Sequence, residues 1–112
     1  MANHKTEFAK YVEYIQFNVW PEQERTFLAT YREAEKCLAE SGICLDHELS
    51  RSVQGSVKYL LRVEWSAPSQ NRAAAAQRNS WRFVLSMKSF MSNMVDVGEY
   101  ESVAPRESLV AA

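Results

Sequence analysis

Hydrophobic positions in this chain alternate singly over some stretches and recur every three to four residues over others, and the changes of period mark out its elements. Over residues 10–20, Tyr11, Glu13, Ile15, Phe17 and Val19 fall on one side, with Val12, Tyr14, Gln16, Asn18 and Trp20 on the other. That pattern predicts a strand with apolar residues on both faces. Pro21 then fixes φ at a first helical position, Glu22 and Glu24 suit the positive end of a helix dipole, and Phe27, Tyr31, Ala34 and Leu38 recur at i, i+4, i+7 and i+11. A long amphipathic helix follows, with Gly42 as its natural stop. Residues 43–53 set Ile43, Leu45, His47, Leu49, Arg51 and Val53 against Cys44, Asp46, Glu48, Ser50 and Ser52. Residues 57–65 set Val57, Tyr59, Leu61, Val63 and Trp65 against Lys58, Leu60, Arg62 and Glu64. These two strands are predicted to fold back on each other at Gln54-Gly55. After Pro68 comes a polar, alanine-rich helical stretch containing Ala73 to Ala76, then a clearer helix from Ser80, which can cap Trp81 onward, with Phe83, Met87, Phe90 and Met94 as its inward stripe. A short strand over 97–103 closes the pattern.

The order β-α-β-β-α-β predicts an α+β, ferredoxin-like sandwich, in which right-handed crossovers put both helices on one face of a four-stranded antiparallel sheet. The other face would be bare. Because the first strand is apolar on both sides, a second sheet is expected to cover it, giving a homodimer whose two sheets pack face to face about a two-fold axis. At 112 residues the chain is read as a single domain over 1–112, with a core at about 10–103 between a polar N-terminal arm and a C-terminal tail. Net charge is −1 and the cations are interspersed with acids, which excludes a basic face for nucleic acid. No apolar run suits a membrane helix and MANHKTEF has no secretory h-region, so the expected location is cytoplasmic, with no membrane partner. Cys37 and Cys44 lack the numbers of a disulfide framework and the spacing of a metal site, and are read as reduced core thiols.

Several side chains are suited to chemistry. His47, on an apolar strand face, is a candidate general base, because imidazole as a class can take up and release a proton under ordinary conditions, or else a partly exposed strand histidine. Arg51 shares that face and suits either a substrate anion or a structural ion pair. Trp20, Tyr14, Trp81, Phe83 and Met87 are candidates to wall a substrate pocket, or to serve simply as core.

The run PEQERTFLATYREAEKCLAESGICLDHELSRSVQGSVKYLLRVEW, followed by FMSNMVDVGEYESV, resembles the antibiotic biosynthesis monooxygenase family of dimeric α/β barrels. The best-matching parts are Pro21-Glu22-Gln23, the turn at Gly42, Glu48-Leu49-Ser50-Arg51 and the segment ending at Trp65. The resemblance implies a pocket between helices and sheet, an aromatic or polyketide-like substrate and, among the most similar members, oxidation by O2 with no flavin, metal or haem. It makes Asn18 the counterpart of a first-strand asparagine that holds a substrate oxygen, and Trp65 the counterpart of a third-strand tryptophan whose N–H points into the pocket. The catalytic set expected on these grounds is Asn18, Trp65 and His47. Where haem-degrading members carry a tryptophan and an axial histidine this chain has Ala75 and Leu85, which argues against haem degradation. The second asparagine, tyrosine and arginine of the aromatic-polyketide oxygenases fall at Leu61, Asn71 and Leu85. Three activities therefore stay open: a cofactor-independent monooxygenase, a cofactor-free cyclase or isomerase, and a non-catalytic barrel that binds a small molecule.

Overall fold

The computed structural model describes residues 10–42, 44–54, 57–68 and 74–103. Within them lie β1 (Tyr11–Asn18), a 3-10 turn (Pro21–Gln23), α1 (Glu24–Ala39), β2 (Cys44–Arg51), β3 (Lys58–Trp65), α2 (Ala74–Ser86), a second 3-10 segment (Lys88–Asn93) and β4 (Met94–Glu101). The sheet order is β2-β3-β1-β4, antiparallel throughout, which is the ferredoxin-like arrangement the pattern predicts. Residues 1–9, 43, 55–56, 69–73 and 104–112 lie outside the described residues, so the expected N-terminal arm, Ile43 at the head of the second strand, the turn at Gly55, the Asn71 position and the C-terminal tail do too.

Physical reasons for the elements are local. Trp20 N–H donates to Gln23 Oε1 at 3.0 Å and Gln23 N–H donates back to the Trp20 carbonyl at 2.8 Å, so the turn that opens α1 is closed in both directions. Gly42 has φ +81°, the left-handed conformation that ends a helix cheaply only at glycine. Between them α1 buries Phe27, Tyr31, Ala34 and Leu38, the predicted stripe. These side chains meet Ile15, Phe17 and Val19 of the first strand region and Tyr59, Leu61, Val63 and Trp65 of β3, while Phe83, Met87 and Phe90 close the core from α2 and the segment after it. Phe27 is the centre of an aromatic cluster, its ring 5.2 Å from each of Phe17, Tyr59 and Phe90.

Four details differ from the pattern. β1 stops at Asn18, so Trp20 lies in the turn and is 52% exposed. β2 carries a bulge: Cys44 pairs with Trp65 and His47 with Val63, three residues against two, and Leu45 is turned out. Cys44 therefore shares the helix-facing side with His47 instead of lying opposite it. α2 begins at Ala74 and runs through Ser80, which is interior to the helix and not its cap, because the alanines before it are good helix formers. The predicted stripe of Phe83, Met87, Phe90 and Met94 does pack on the core, but α2 stops at Ser86, and Met94 belongs to β4.

The sheet's other face carries Val12, Tyr14, Gln16 and Asn18 of β1, Leu60, Arg62 and Glu64 of β3, and Tyr100 of β4. Arg62 bonds Glu64 at 2.5 Å and Asp46 at 3.1 Å, and Lys10 lies 3.4 Å from Glu64. Those acids, Glu64 first, raise the Arg62 pKa above its ordinary value. Tyr14 meets the Tyr100 ring edge-on at 5.7 Å, and Tyr100 folds over Gly98, where an added Cβ would lie 3.0 Å from the ring. No described residue covers this face with a further layer.

Candidate active site

The most developed polar constellation lies where α1 crosses the edge strand β2. His47, held on the helix-facing side of β2 by its pairing with Val63, places Nδ1 3.2 Å from Tyr31 Oη and 3.8 Å from Glu35 Oε1. Tyr31 and Glu35 are one turn apart on α1, so both reach the same imidazole edge. Beside them opens a cleft of about 250 Å3, lined by Leu28, Tyr31, Arg32, Glu35, His47, Glu48 and Leu49. Burial, then the Glu35 carboxylate and then Cys44, push the Tyr31 phenol up to about 12. Tyr31 thus stays a neutral hydroxyl at any ordinary pH. In the tautomer with a proton on Nδ1, His47 donates to Tyr31 Oη with the Glu35 carboxylate just behind, and Nε2 keeps its lone pair as a base. Arg32 brings a guanidinium with no ion-pair partner among the described residues.

Trp65 lies next door. It occupies a diagonal position to His47 on the same sheet face, with its side chain 1% exposed and its Nε1–H donating to Glu13 Oε1 at 3.2 Å. It lines an inner cavity of about 90 Å3 that Phe83 also walls, and the Phe83 ring stands edge-on to Tyr31 at 6.4 Å. His47, Tyr31, Phe83 and Trp65 are therefore one contiguous group. Met87 is buried in the core close by.

The remaining expected site residues fall elsewhere. Asn18 pairs with Lys58 at the far end of β3, seven residues from Trp65, a separation of about 23 Å along a strand. It also lies on the opposite face, since it alternates with Phe17 and Val19, which are both in the helix-side core. Its Oδ1 is buried without a hydrogen-bond partner among the described residues. Asn18 and Trp65 therefore do not meet over one small substrate within a subunit. Arg51 binds Glu24 at 2.6 Å, and Tyr59 Oη donates to the same carboxylate oxygen. Those two donors, Tyr59 first, hold the Glu24 carboxyl below its ordinary range, as a structural tie between α1 and the β2-β3 hairpin would. Tyr14 is on the open sheet face, and Trp81 is 62% exposed on α2.

Tyr31, Glu35 and Arg32 were absent from the sequence-derived set. A signal existed: Leu28, Arg32 and Glu35 form an i, i+4, i+7 row flanking the buried stripe, which puts polar groups at the helix edge nearest the sheet margin. Among the described residues no three His, Cys, Asp or Glu side chains gather as metal ligands, neither Cys37 nor Cys44 is in a disulfide, and no helix is long and apolar enough to cross a membrane.

A β2-β3-β1-β4 sheet with two helices on one face defines the ferredoxin-like class of α+β proteins. Within that class the chain has the fold of the antibiotic biosynthesis monooxygenases. It is similar to a candidate antibiotic biosynthesis monooxygenase of Bordetella bronchiseptica, with TM-score 0.68 and 18% identity over 86% of this chain and 99% of that one. It is similar also to SnoaB, a cofactor-independent oxygenase from Streptomyces nogalater solved as an asparagine-to-alanine variant, with TM-score 0.57 and 14% identity over 90% of this chain and 95% of that one. A conserved protein of Methanosarcina mazei matches with TM-score 0.66 and 9% identity, over 88% of this chain and 96% of that one. No family model and no curated protein matches the chain.

Proposed function

We propose that the protein is a cofactor-independent monooxygenase acting on a small hydroxylated aromatic, with the cleft between α1 and β2 as its site. The observation that carries this reading is the His47–Tyr31–Glu35 cluster beside a cavity of about 250 Å3, with the Arg32 guanidinium, which has no ion-pair partner among the described residues, on its wall. His47 Nε2 takes a phenolic proton, Tyr31 and Glu35 fix the imidazole, and Arg32 offsets the charge of the phenolate. That anion is electron-rich enough to reduce O2. One oxygen atom becomes a carbonyl at a ring carbon that gives up its hydrogen, the phenolic oxygen becomes a second carbonyl, and the other oxygen atom leaves as water with that hydrogen and the phenolic proton returned by His47. Trp65 and Phe83 back the site, while Arg51 holds the hairpin. Likeness to SnoaB supports the chemistry, since that protein is itself a cofactor-independent oxygenase.

An oxygen electrode with naphthols, anthrones and catechols tests the proposal. Protein-dependent uptake is expected, falling by two orders of magnitude or so in His47→Gln, the usual worth of a general base. Asn18→Ala should leave the rate of a subunit's own cleft intact. Absence of uptake across the panel would refute the oxygenase reading. The same groups suffice for proton transfer alone, so a cofactor-free isomerase or cyclase is the second reading, distinguished by turnover without oxygen consumption.

We also propose that the open sheet face closes against a second copy, giving a homodimer. Tyr14, Leu60 and Tyr100 on that face, and Asn18 Oδ1, buried without a hydrogen-bond partner among the described residues, support it. A monomeric mass by small-angle scattering at micromolar concentration would refute it.

A further inference from the structure

The fold's inner cavity, between the sheet and both helices, holds about 90 Å3 and is separate from the cleft at His47. Ile15, Leu38, Val63, Trp65, Phe83 and Val84 form its walls. Among the described residues Glu13 is the one charged group lining it, and its carboxylate already accepts the Trp65 N–H at 3.2 Å. A water molecule there would find few partners, and apolar cavities of roughly 150 Å3 are known to stay dry and take up benzene or xenon. At about 90 Å3 this one is smaller, with room for a diatomic or a noble-gas atom and none for a substituted ring system. Only one layer of side chains separates it from the cleft: Val63 is the register partner of His47, and the Phe83 ring abuts Tyr31.

We infer that this cavity is a binding site for a small apolar gas, O2 in the working protein, held one side chain away from the aromatic substrate. Gas binding stands on the cavity alone; its use in turnover rests on the oxygenase reading. The arrangement separates the two reactants by chemistry. The polar cleft selects an ionisable phenol, and the apolar cavity concentrates a guest that water solvates poorly.

Methyl NMR of the full chain under xenon pressure is the direct test, compared between wild type and Val84→Phe, with Val84→Ile as a milder filling variant should the first fail to fold. Saturable shifts confined to the methyls of Ile15, Leu38, Val63 and Val84 are expected in the wild type and should be abolished on filling. No saturable shift, or shifts that survive filling, would overturn the site. With an aromatic that turns over, the filled variant should show a KM for O2 raised several-fold and an unchanged KM for the aromatic. An unchanged KM for O2 in a variant that no longer binds xenon would overturn the role of O2. Should no aromatic turn over, the oxygenase reading falls and the gas guest loses its use, while the xenon titration alone still decides the cavity.

Discussion

Tyr31→Phe isolates the hydroxyl on which the candidate site turns. The ring stays and packs as before against Phe83, so the substitution removes one hydrogen bond to His47 Nδ1 and nothing of the core. At neutral pH that bond is worth about 1 kcal/mol, and the variant should be less stable by that amount. The alkaline limb carries the sharper expectation. Burial and Glu35 raise the Tyr31 pKa from 10 to about 12 in the folded chain, so between those values the unfolded chain loses its phenolic proton and the folded one keeps it. A raised pKa gives stability that is complete below pH 10 and lost as pH climbs toward 12. By pH 11 the wild type should have lost about 1.4 kcal/mol on this account, or about half that with solvent screening in the open cleft. The variant has no such group. Its deficit at pH 7 should therefore shrink and close near pH 11, when urea midpoints are compared at pH 7, 9, 10 and 11. Parallel stability curves would refute the claim that Tyr31 is held neutral by burial beside Glu35, and a variant equal to wild type at pH 7 would refute the bond to His47.

Three other expectations concern the frame around the site. Gly98→Ala puts a methyl against the Tyr100 ring at 3.0–3.3 Å and should cost about 1 kcal/mol unless Tyr100 swings off Tyr14, a movement near-UV circular dichroism would register. Glu24 is held below its ordinary pKa by Tyr59 first and Arg51 second, so its contribution to stability is present above the ordinary carboxylate value and lost as pH falls through the lowered one. Carboxyl NMR titration should show a larger upward return for Glu24 in Tyr59→Phe than in Arg51→Ala, and the reverse order would contradict the arrangement. Deleting Leu45 removes the extra residue of the β2 bulge and leaves Cys44 and His47 in phase on the helix side, whereas deleting Glu48 breaks regular pairing and flips one half of the strand. The first deletion should fold and keep the His47–Tyr31 contact. Equal loss of thermal stability in both would remove the bulge from the account.

Strand phases, the α1 stripe and the Gly42 stop were legible in the sequence because each depends on residues close in the chain and on a period that burial enforces. That the alanine-rich stretch and the later helix form one continuous α2 was hidden by a good N-cap residue, Ser80, which sits inside the helix after a run of alanines that favour it. The bulge was hidden for a different reason. Leu45 fits the alternation as well as Cys44 does, and only pairing with Trp65 on β3 decides which of them faces in. The face of Asn18 could not be read at all from β1, which is apolar on both sides; it is settled by Phe17 and Val19 packing beneath the helices. A shift of one position would have exchanged the faces, putting Asn18 into the core and Phe17 and Val19 out of it. Likeness in chain position therefore did not amount to likeness in place. Trp65 kept the helix side, but its N–H is engaged by Glu13, and the groups left with capacity for proton transfer are those that α1 brings to His47. Tyr31 belongs to the same stripe that builds the core, so a single helix face both anchors the sheet and supplies the imidazole's partner. Chemistry at β2 is thus coupled to the packing of α1: a change that rotates the helix to relieve its core stripe must also part Tyr31 from His47.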